Sequence, residues 1–185
     1  MSYPGPTLQC GCANGGLQAR LGELVRGLPY TISTGALAGC NQATLLESEY
    51  LRLFELPVDG STCPLYGGLH AGDRNQVMQE LVRFYRHFGL STANASTRDL
   101  PDSIPTVLEF LQYLASREAD AQHDEEARSF RAAQRDLLER HLNKWTESIT
   151  NQLIPRKPLA FYETAVSLLR DFAAAELAEF HAESR

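Results

Sequence analysis

Apolar residues recur along this chain at steps of three and four, which is the spacing of an amphipathic helix. In the first half they predict three helices, which end near Pro29, Pro57 and Gly89, residue types that stop a helix or cap its C-terminus. Asp73 is placed to cap the start of the third. The three apolar faces consist of Leu17, Leu21, Leu24 and Leu28; of Leu46, Tyr50, Leu53 and Phe54; and of Val77, Leu81, Phe84 and Phe88.

The second half continues the helical pattern in three longer segments. Pro101-Asp102-Ser103 is typical of a helix start, and an apolar stripe follows it. A long amphipathic segment then runs from about His123 to Leu153, where Pro155 and Pro158 break it, and an alanine-rich helix comes last. The three stripes are Val107, Leu108, Leu111 and Leu114; Phe130, Leu137, Leu138, Leu142, Trp145, Ile149 and Leu153; and Phe161, Ala165, Leu168, Leu169, Phe172 and Phe180.

The pattern predicts an all-α protein, a compact helical bundle of six or more helices, because no segment keeps the period of two that a half-buried strand requires. Residues 1–16 are rich in glycine and proline, so we expect a disordered lead segment there. The polar run that follows Gly89 suggests a linker. We therefore divide the chain into an N-terminal helical lobe at 17–90, a linker or hinge at 91–103 and a C-terminal helical lobe at 104–185.

Charge and hydropathy narrow the class of protein. The formal net charge of -6 argues against a nucleic-acid-binding protein, which needs a dense lysine and arginine surface to neutralise phosphates. No apolar run reaches the roughly 20 residues that cross a bilayer, and the N-terminus lacks the charged and apolar regions of a secretory signal. We expect a cytoplasmic protein without stable membrane insertion.

Four cysteines are the candidate metal ligands. Cys10 and Cys12 lie close together in the lead segment, while Cys40 and Cys63 are isolated in predicted loops. Structural zinc sites pair their cysteines in short knuckles, so this spacing favours reduced, unligated thiols and no metal. A metal-binding or redox-sensing protein that uses all four remains the main alternative.

No catalytic arrangement stands out, and we expect the chain not to be an enzyme. The five histidines form no metal motif, and no serine lies in a nucleophile elbow. His141 lies one turn from Leu137, Leu138 and Trp145, so a partly buried structural histidine is the simpler interpretation. The carboxylates of Asp102, Glu109 and Glu118 suit either an anionic receptor or, as residue chemistry alone favours, a capping aspartate and solvated glutamates.

Four segments in order carry a resemblance to a known family. The stretch LPDSIPTVLEFLQYLA, which starts at Leu100, resembles the signature of the TorD/DmsD/NarJ family of molybdoenzyme assembly chaperones, with Ser103 where the family usually has histidine. Tyr50–Phe54 resembles the early YxxLF helix of these proteins and Cys63–Tyr66 their PLY loop. Leu138–Trp145 resembles the HLxxW helix of the nitrate-reductase branch, which includes chaperones of type II respiratory enzymes.

The resemblance implies a TorD-like bundle of two lobes joined by a linker. It also implies a chaperone that binds the apo catalytic subunit of a molybdenum-cofactor oxidoreductase, in some cases through its twin-arginine signal peptide, and that holds no cofactor itself. The implied client-binding residues form an apolar groove, the turn between the lobes and an acidic helix position. They are Leu53, Phe54, Pro64, Leu65 and Tyr66; Pro101, Asp102 and Ser103; and Glu109.

The role of Tyr66 stays open. Aromatic residues at helical spacing usually belong to the core, and we expect this of five phenylalanines. Tyr66 lies instead in a loop, where it suits either a core anchor or a client contact. A generic helical adaptor for an unrelated partner is a further alternative to the chaperone. The five phenylalanines are Phe84, Phe88, Phe130, Phe161 and Phe172.

Overall fold

The computed structural model describes residues 16–32, 43–56, 62–90 and 100–183, and its regular structure there is helical, which confirms the predicted all-α class. An isolated antiparallel bridge between Tyr66 and Ser103 is the one extended pairing within these ranges. No helix in them is both long enough and apolar enough to cross a membrane. The α-helices are α1 (Gly16–Arg26), α2 (Ala43–Tyr50), α3 (Arg74–His87), α4 (Ile104–Ala119), α5 (Asp124–Leu137), α6 (Asn143–Leu153) and α7 (Ala160–Glu183).

Two of these helices continue into π turns, which the apolar spacing did not reveal. The chain leaves α2 through a π turn at Leu51–Glu55. A second π turn, Leu138–Leu142, joins α5 to α6. The predicted long helix from about His123 to Leu153 is therefore confirmed as one continuous helical run. Short 3-10 turns at Gly67–His70 and Ile154–Arg156 complete the helical structure of the described residues.

The ends of α3 follow the predicted capping chemistry. Asp73 accepts hydrogen bonds from the backbone N–H groups of Asn75 and Gln76, at 3.0 and 3.2 Å. At the other end Gly89 takes a φ of +76°, a conformation that favours glycine because it has no Cβ. Ser103 occupies the N-cap position of α4, but its side chain makes no capping hydrogen bond.

The contacts of the chain define two compact units. Among the described residues, one unit holds those between Leu65 and Trp145 and those from Phe180 to Glu183, and the other holds those up to Pro64 and Thr146–Glu179. The predicted lead segment falls, except for Gly16, outside the described residues, as do residues 91–99 of the predicted linker. The predicted division at 91–103 therefore stays a prediction.

An aromatic cluster forms the core of the first unit. Phe110 of α4 meets the rings of Phe84, Tyr85 and Phe88 at centroid distances of 4.7 to 5.9 Å, and Phe88 meets Phe130 of α5 at 5.5 Å. Edge-on ring pairs of this kind contribute about 1 kcal/mol beyond the apolar area that they bury. Phe130 is buried as expected, whereas Phe84 and Phe88 keep part of their surface exposed.

The core of the second unit combines rings with a satisfied carboxylate. The rings of Tyr50, Phe54 and Tyr162 contact one another at tilted or edge-on angles, and the Tyr162 hydroxyl donates to the Leu46 carbonyl at 2.8 Å. The buried carboxylate of Glu49 accepts from Arg52 and from the backbone N–H of Leu159 at 2.9 Å. Of the two phenylalanines expected in the core here, Phe161 is buried and Phe172 is partly exposed.

Trp145 and His141 lie side by side in the first unit. The Trp145 indole is 1% exposed, and its ring centroid is 5.1 Å from that of His141. Gly67 packs so closely on this indole that a Cβ at position 67 would overlap three ring atoms. A glycine is thus required where the loop before α3 passes over the tryptophan.

His141 is a buried structural histidine, as predicted. Burial lowers its pKa to about 4, and the positive charges of Arg140 and Lys144 act in the same direction. The carboxylate of Glu80 lies 3.5 Å from its Nε2, but Glu80 is also paired with Arg140, which offsets its charge. The imidazole is therefore neutral at pH 7.

We predict that Gly67→Ala lowers the free energy of unfolding by about 1–3 kcal/mol, because the new methyl group must displace the Trp145 indole. Urea unfolding followed by tryptophan fluorescence measures the change. Gly22→Ala is the matched control, because Gly22 lies within α1 and a Cβ there meets no atom within 4 Å. The control should be neutral or slightly stabilising. Equal stability of the Gly67 variant and the wild type would contradict the packing described here.

We also predict an acid sensitivity that originates at His141. Its pKa is about 4 in the folded chain and about 6.5 in the unfolded chain, so the unfolded chain binds the proton more tightly. The stability due to neutral His141 is complete above about pH 6.5 and falls as the pH drops towards 4, by a limit of about 3 kcal/mol. Unfolding free energies measured between pH 7 and 4.5 should fall less steeply in His141→Gln than in the wild type. Parallel pH profiles would refute this origin.

Candidate functional site

The predicted client-binding turn joins the loop before α3 to the start of α4. The backbone N–H of Gly67 donates to the carbonyl of Asp102 at 2.7 Å, and that of Ile104 donates to the carbonyl of Leu65 at 3.0 Å. These two bonds flank the bridge between Tyr66 and Ser103. We call residues 65–68 together with 100–104 the junction. Its backbone is thus hydrogen-bonded on both sides of the bridge, which satisfies these buried polar groups.

An ion pair lies inside the junction. The Asp102 side chain is 0% exposed, and its Oδ2 accepts from Arg74 Nε at 3.0 Å and from the Gly68 backbone N–H at 3.3 Å. Arg74, at the first position of α3, is one-third exposed. A Cβ on Gly68 would lie 2.8 Å from Asp102 Oδ2 and 2.7 Å from Arg74 Cγ, so glycine is needed for this approach. The buried carboxylate is therefore matched by a charge and by a backbone donor.

Tyr66 of the junction and Tyr85 of α3 add two further contacts. The Arg74 guanidinium carbon lies 5.3 Å from the centroid of the half-buried Tyr66 ring, which is cation–π geometry. From α3, the Tyr85 hydroxyl donates to the Pro101 carbonyl at 2.7 Å. Burial, together with the nearby Asp102 charge, raises the pKa of Tyr85, so this hydroxyl keeps its proton. The loop, α3 and α4 are thus tied together around Asp102.

Five of the nine predicted client-binding residues meet at the junction: Leu65, Tyr66, Pro101, Asp102 and Ser103. Tyr66 and Pro101 are partly exposed, whereas the other three are buried.

The remaining four predicted residues lie elsewhere in the chain. Glu109 is exposed on α4. Leu53 and Phe54 are buried in the other compact unit, where Phe54 packs on Tyr50 and Tyr162, and Pro64 ends a segment of that unit. The role of all nine residues in client binding stays a prediction.

Sequence reasoning missed Arg74, Gly68 and Tyr85, which complete the junction. Arg74 follows the helix cap Asp73 and looks like an ordinary solvated arginine, and it is 28 positions from Asp102 along the chain. Tyr85 carried a usable signal, since it lies on the apolar face of α3 one turn beyond Leu81 and a buried tyrosine needs a hydrogen-bond partner. Its partner could not be named from the sequence.

Within the described ranges, no three His, Cys, Asp or Glu side chains come together to hold a metal ion. Burial raises the pKa of the Cys63 thiol to about 11, so it stays protonated and unreactive, and its Sγ points to the Ile149 carbonyl at 3.5 Å. Cys10, Cys12 and Cys40 lie outside the described residues. The alternative, a metal or redox site that uses all four cysteines, therefore stays a prediction, because only Cys63 is among the described residues.

Comparison with known proteins gives three similar chains. The chlorate reductase assembly chaperone protein of Ideonella dechloratans and the selenate reductase assembly chaperone protein of Thauera selenatis are each 40% identical over 111 residues, 58% of this chain and 57% of theirs. The perchlorate reductase assembly chaperone protein of Dechloromonas aromatica (strain RCB) is 32% identical over 136 residues, 72% of this chain and 60% of its own. The matches thus span between 57% and 60% of the relatives' length. No solved structure matches the chain.

A family model described as nitrate reductase delta subunit matches residues 14–151. This range includes all four segments that carried the resemblance, the junction and the helical run through Trp145. Because the match covers well over half of the chain, the protein belongs to the nitrate reductase delta subunit family, the NarJ-like branch of the molybdoenzyme maturation chaperones.

Proposed function

We propose that this chain is a cytoplasmic chaperone, not an enzyme, that binds the apo catalytic subunit of a molybdenum-containing oxidoreductase and holds it while the cofactor is inserted. The observation that carries the proposal is the agreement of three relatives, each named as an assembly chaperone for a reductase of chlorate, selenate or perchlorate. Membership of the delta subunit family supports the same role. Under this proposal the client is a molybdenum-containing oxidoreductase.

The junction supports the proposal as a preformed binding surface. Its backbone bonds and the Arg74–Asp102 pair fix the turn, while Leu100, Pro101 and Tyr66 keep part of their surface exposed. Leu100 is 38% exposed. A rigid surface with apolar groups loses little conformational entropy when a peptide binds. An extended apolar segment of the client fits this chemistry.

Under this proposal Asp102 and Glu109 have different roles. Asp102 is already matched by Arg74, so a client arginine would have to displace that side chain from a fully buried carboxylate. Asp102 therefore acts as a positioning residue, and the exposed Glu109 is the better partner for an arginine of a twin-arginine signal peptide. Leu53, Phe54 and Leu65 are buried, so each of them contacts a client only if the packing around it opens.

The proposed activity predicts selective binding of the apo client. The full-length chain should form a stable complex on size-exclusion chromatography with the catalytic subunit of a chlorate- or selenate-type reductase purified without its molybdenum cofactor. The cofactor-loaded subunit is the control and should bind at least about tenfold more weakly, because insertion completes its folding. Equal binding of both forms, or of neither, would rule the chaperone role out. Deleting the client's signal peptide shows whether that segment is the main contact.

The proposed roles of Glu109 and Asp102 predict different consequences when each carboxylate is replaced by an amide. Glu109→Gln should weaken binding of the signal peptide about fivefold, in a salt-dependent way, and leave the unfolding free energy unchanged. Asp102→Asn should lower the unfolding free energy by about 2 kcal/mol, because it leaves Arg74 without its buried partner. Calorimetric titration and urea unfolding measure the two effects.

Glu125→Gln, exposed in the first turn of α5, is the matched control for both measurements. It should leave the peptide affinity unchanged. If Glu125→Gln weakens peptide binding as much as Glu109→Gln does, the effect is one of net charge, and the assignment of Glu109 is wrong.

A further inference from the structure

A basic cavity of about 420 Å³ lies within the first compact unit, and none of its lining residues belongs to the junction. It opens between α5 and the last turn of α7. Three arginines, an aromatic ring, a small residue and one carboxylate line it. They are Arg128, Arg131, Ala132, Arg135, Phe180 and Glu183.

The three arginines share one face of α5. Positions 128, 131 and 135 are three and four residues apart, so their side chains are neighbours on the helix surface. Three guanidinium groups lie against two carboxylates, that of Glu183 in the cavity lining and that of Glu118, which pairs with Arg131, so the formal excess is one positive charge. This local sign is opposite to the net charge of -6 of the whole chain. An anionic ligand is favoured here and disfavoured over most of the surface.

Arg131 is held in place from three directions. Glu118 of α4 accepts from its Nη1 at 3.0 Å, and the second oxygen of Glu118 accepts from Gln134 at 2.5 Å. The guanidinium carbon lies 4.8 Å from the Phe180 centroid. Its Nη2 is paired with Glu183, whose side chain is about half exposed. Glu118 thus positions the guanidinium from within, while a carboxylate that solvent reaches occupies its outer side.

We propose that this cavity binds an acidic segment of the client subunit, in which an aspartate or glutamate side chain takes the place of Glu183 on Arg131. Further carboxylates of the segment pair with Arg128 and Arg135. The naming of the client as partner rests on the proposed function, whereas the acidic chemistry rests on the cavity alone. The interaction is a second contact, separate from the one at the junction.

A protein carboxylate suits the cavity better than a phosphate ester does. The group already on Arg131 is a carboxylate, so a carboxylate of a peptide can replace it like for like. Phe180 and Ala132 add an apolar wall, which fits a leucine-like side chain beside the acidic one. A phosphate ester remains an outcome that the experiment distinguishes.

The test measures anisotropy of a short fluorescent peptide, in which glutamate alternates with leucine, titrated with the full chain at low ionic strength. Arg128→Gln with Arg135→Gln should weaken binding about tenfold, because charge-assisted contacts are lost. Glu183→Gln should strengthen it about threefold, because the competing carboxylate is removed. Arg83→Gln with Arg86→Gln, two exposed arginines of α3, has the same net charge as the first pair and should bind as the wild type does.

Equal affinities of the two double variants would overturn the proposal, and so would equal binding of a peptide with glutamine in place of glutamate. Binding of inorganic phosphate that depends on Arg128 and Arg135, without binding of the peptide, would also overturn it in favour of a phosphate ligand. If the complex with the apo subunit tolerates the Arg128 and Arg135 changes, the proposed role of this cavity is wrong, whereas the proposed chaperone function stands. Peptide binding without any apo-subunit complex would keep the acidic chemistry and remove the client named here.

Discussion

The buried carboxylate of Asp102 is the constraint on which the first compact unit depends. A charge without solvent is costly unless a partner compensates it, and Arg74 with the Gly68 backbone N–H provides that compensation. This requirement brings the first residue of α3 against the turn before α4. It also explains why Gly68 has no side chain and why Tyr66 lies beneath the guanidinium. The aromatic cluster between α3 and α4 then packs in one register.

Helix positions and most of the core were predictable because they depend on local spacing. The apolar faces located the helices, and Asp73 and Gly89 marked the ends of α3 by their own conformational preferences. The two π turns were not predictable, because each is five residues long and too short to show an apolar period of its own. Buried and half-exposed phenylalanines were also indistinguishable, since exposure depends on which neighbour covers each ring.

The candidate site was only partly visible in the sequence. Resemblance located the turn at Pro101–Ser103, but the partner of Asp102 depends on a contact across 28 residues, for which the chain carries no local signal. Asp102 was expected to face a client, but its burial and its pairing with Arg74 make it a residue that shapes the turn. Ser103 fits the same picture, because it joins the junction through its backbone, in the bridge with Tyr66. A histidine side chain is not needed for that pairing.

The π turn at Leu138–Leu142 sets the rotational phase of everything that follows it. Each residue of an α-helix advances the side chains by about 100°, so one residue more or fewer in this turn would swing Trp145 to another side of the helix. The indole would then leave Gly67, and His141 would move relative to Glu80. This helical run should therefore tolerate substitutions on its exposed face far better than any change in its length.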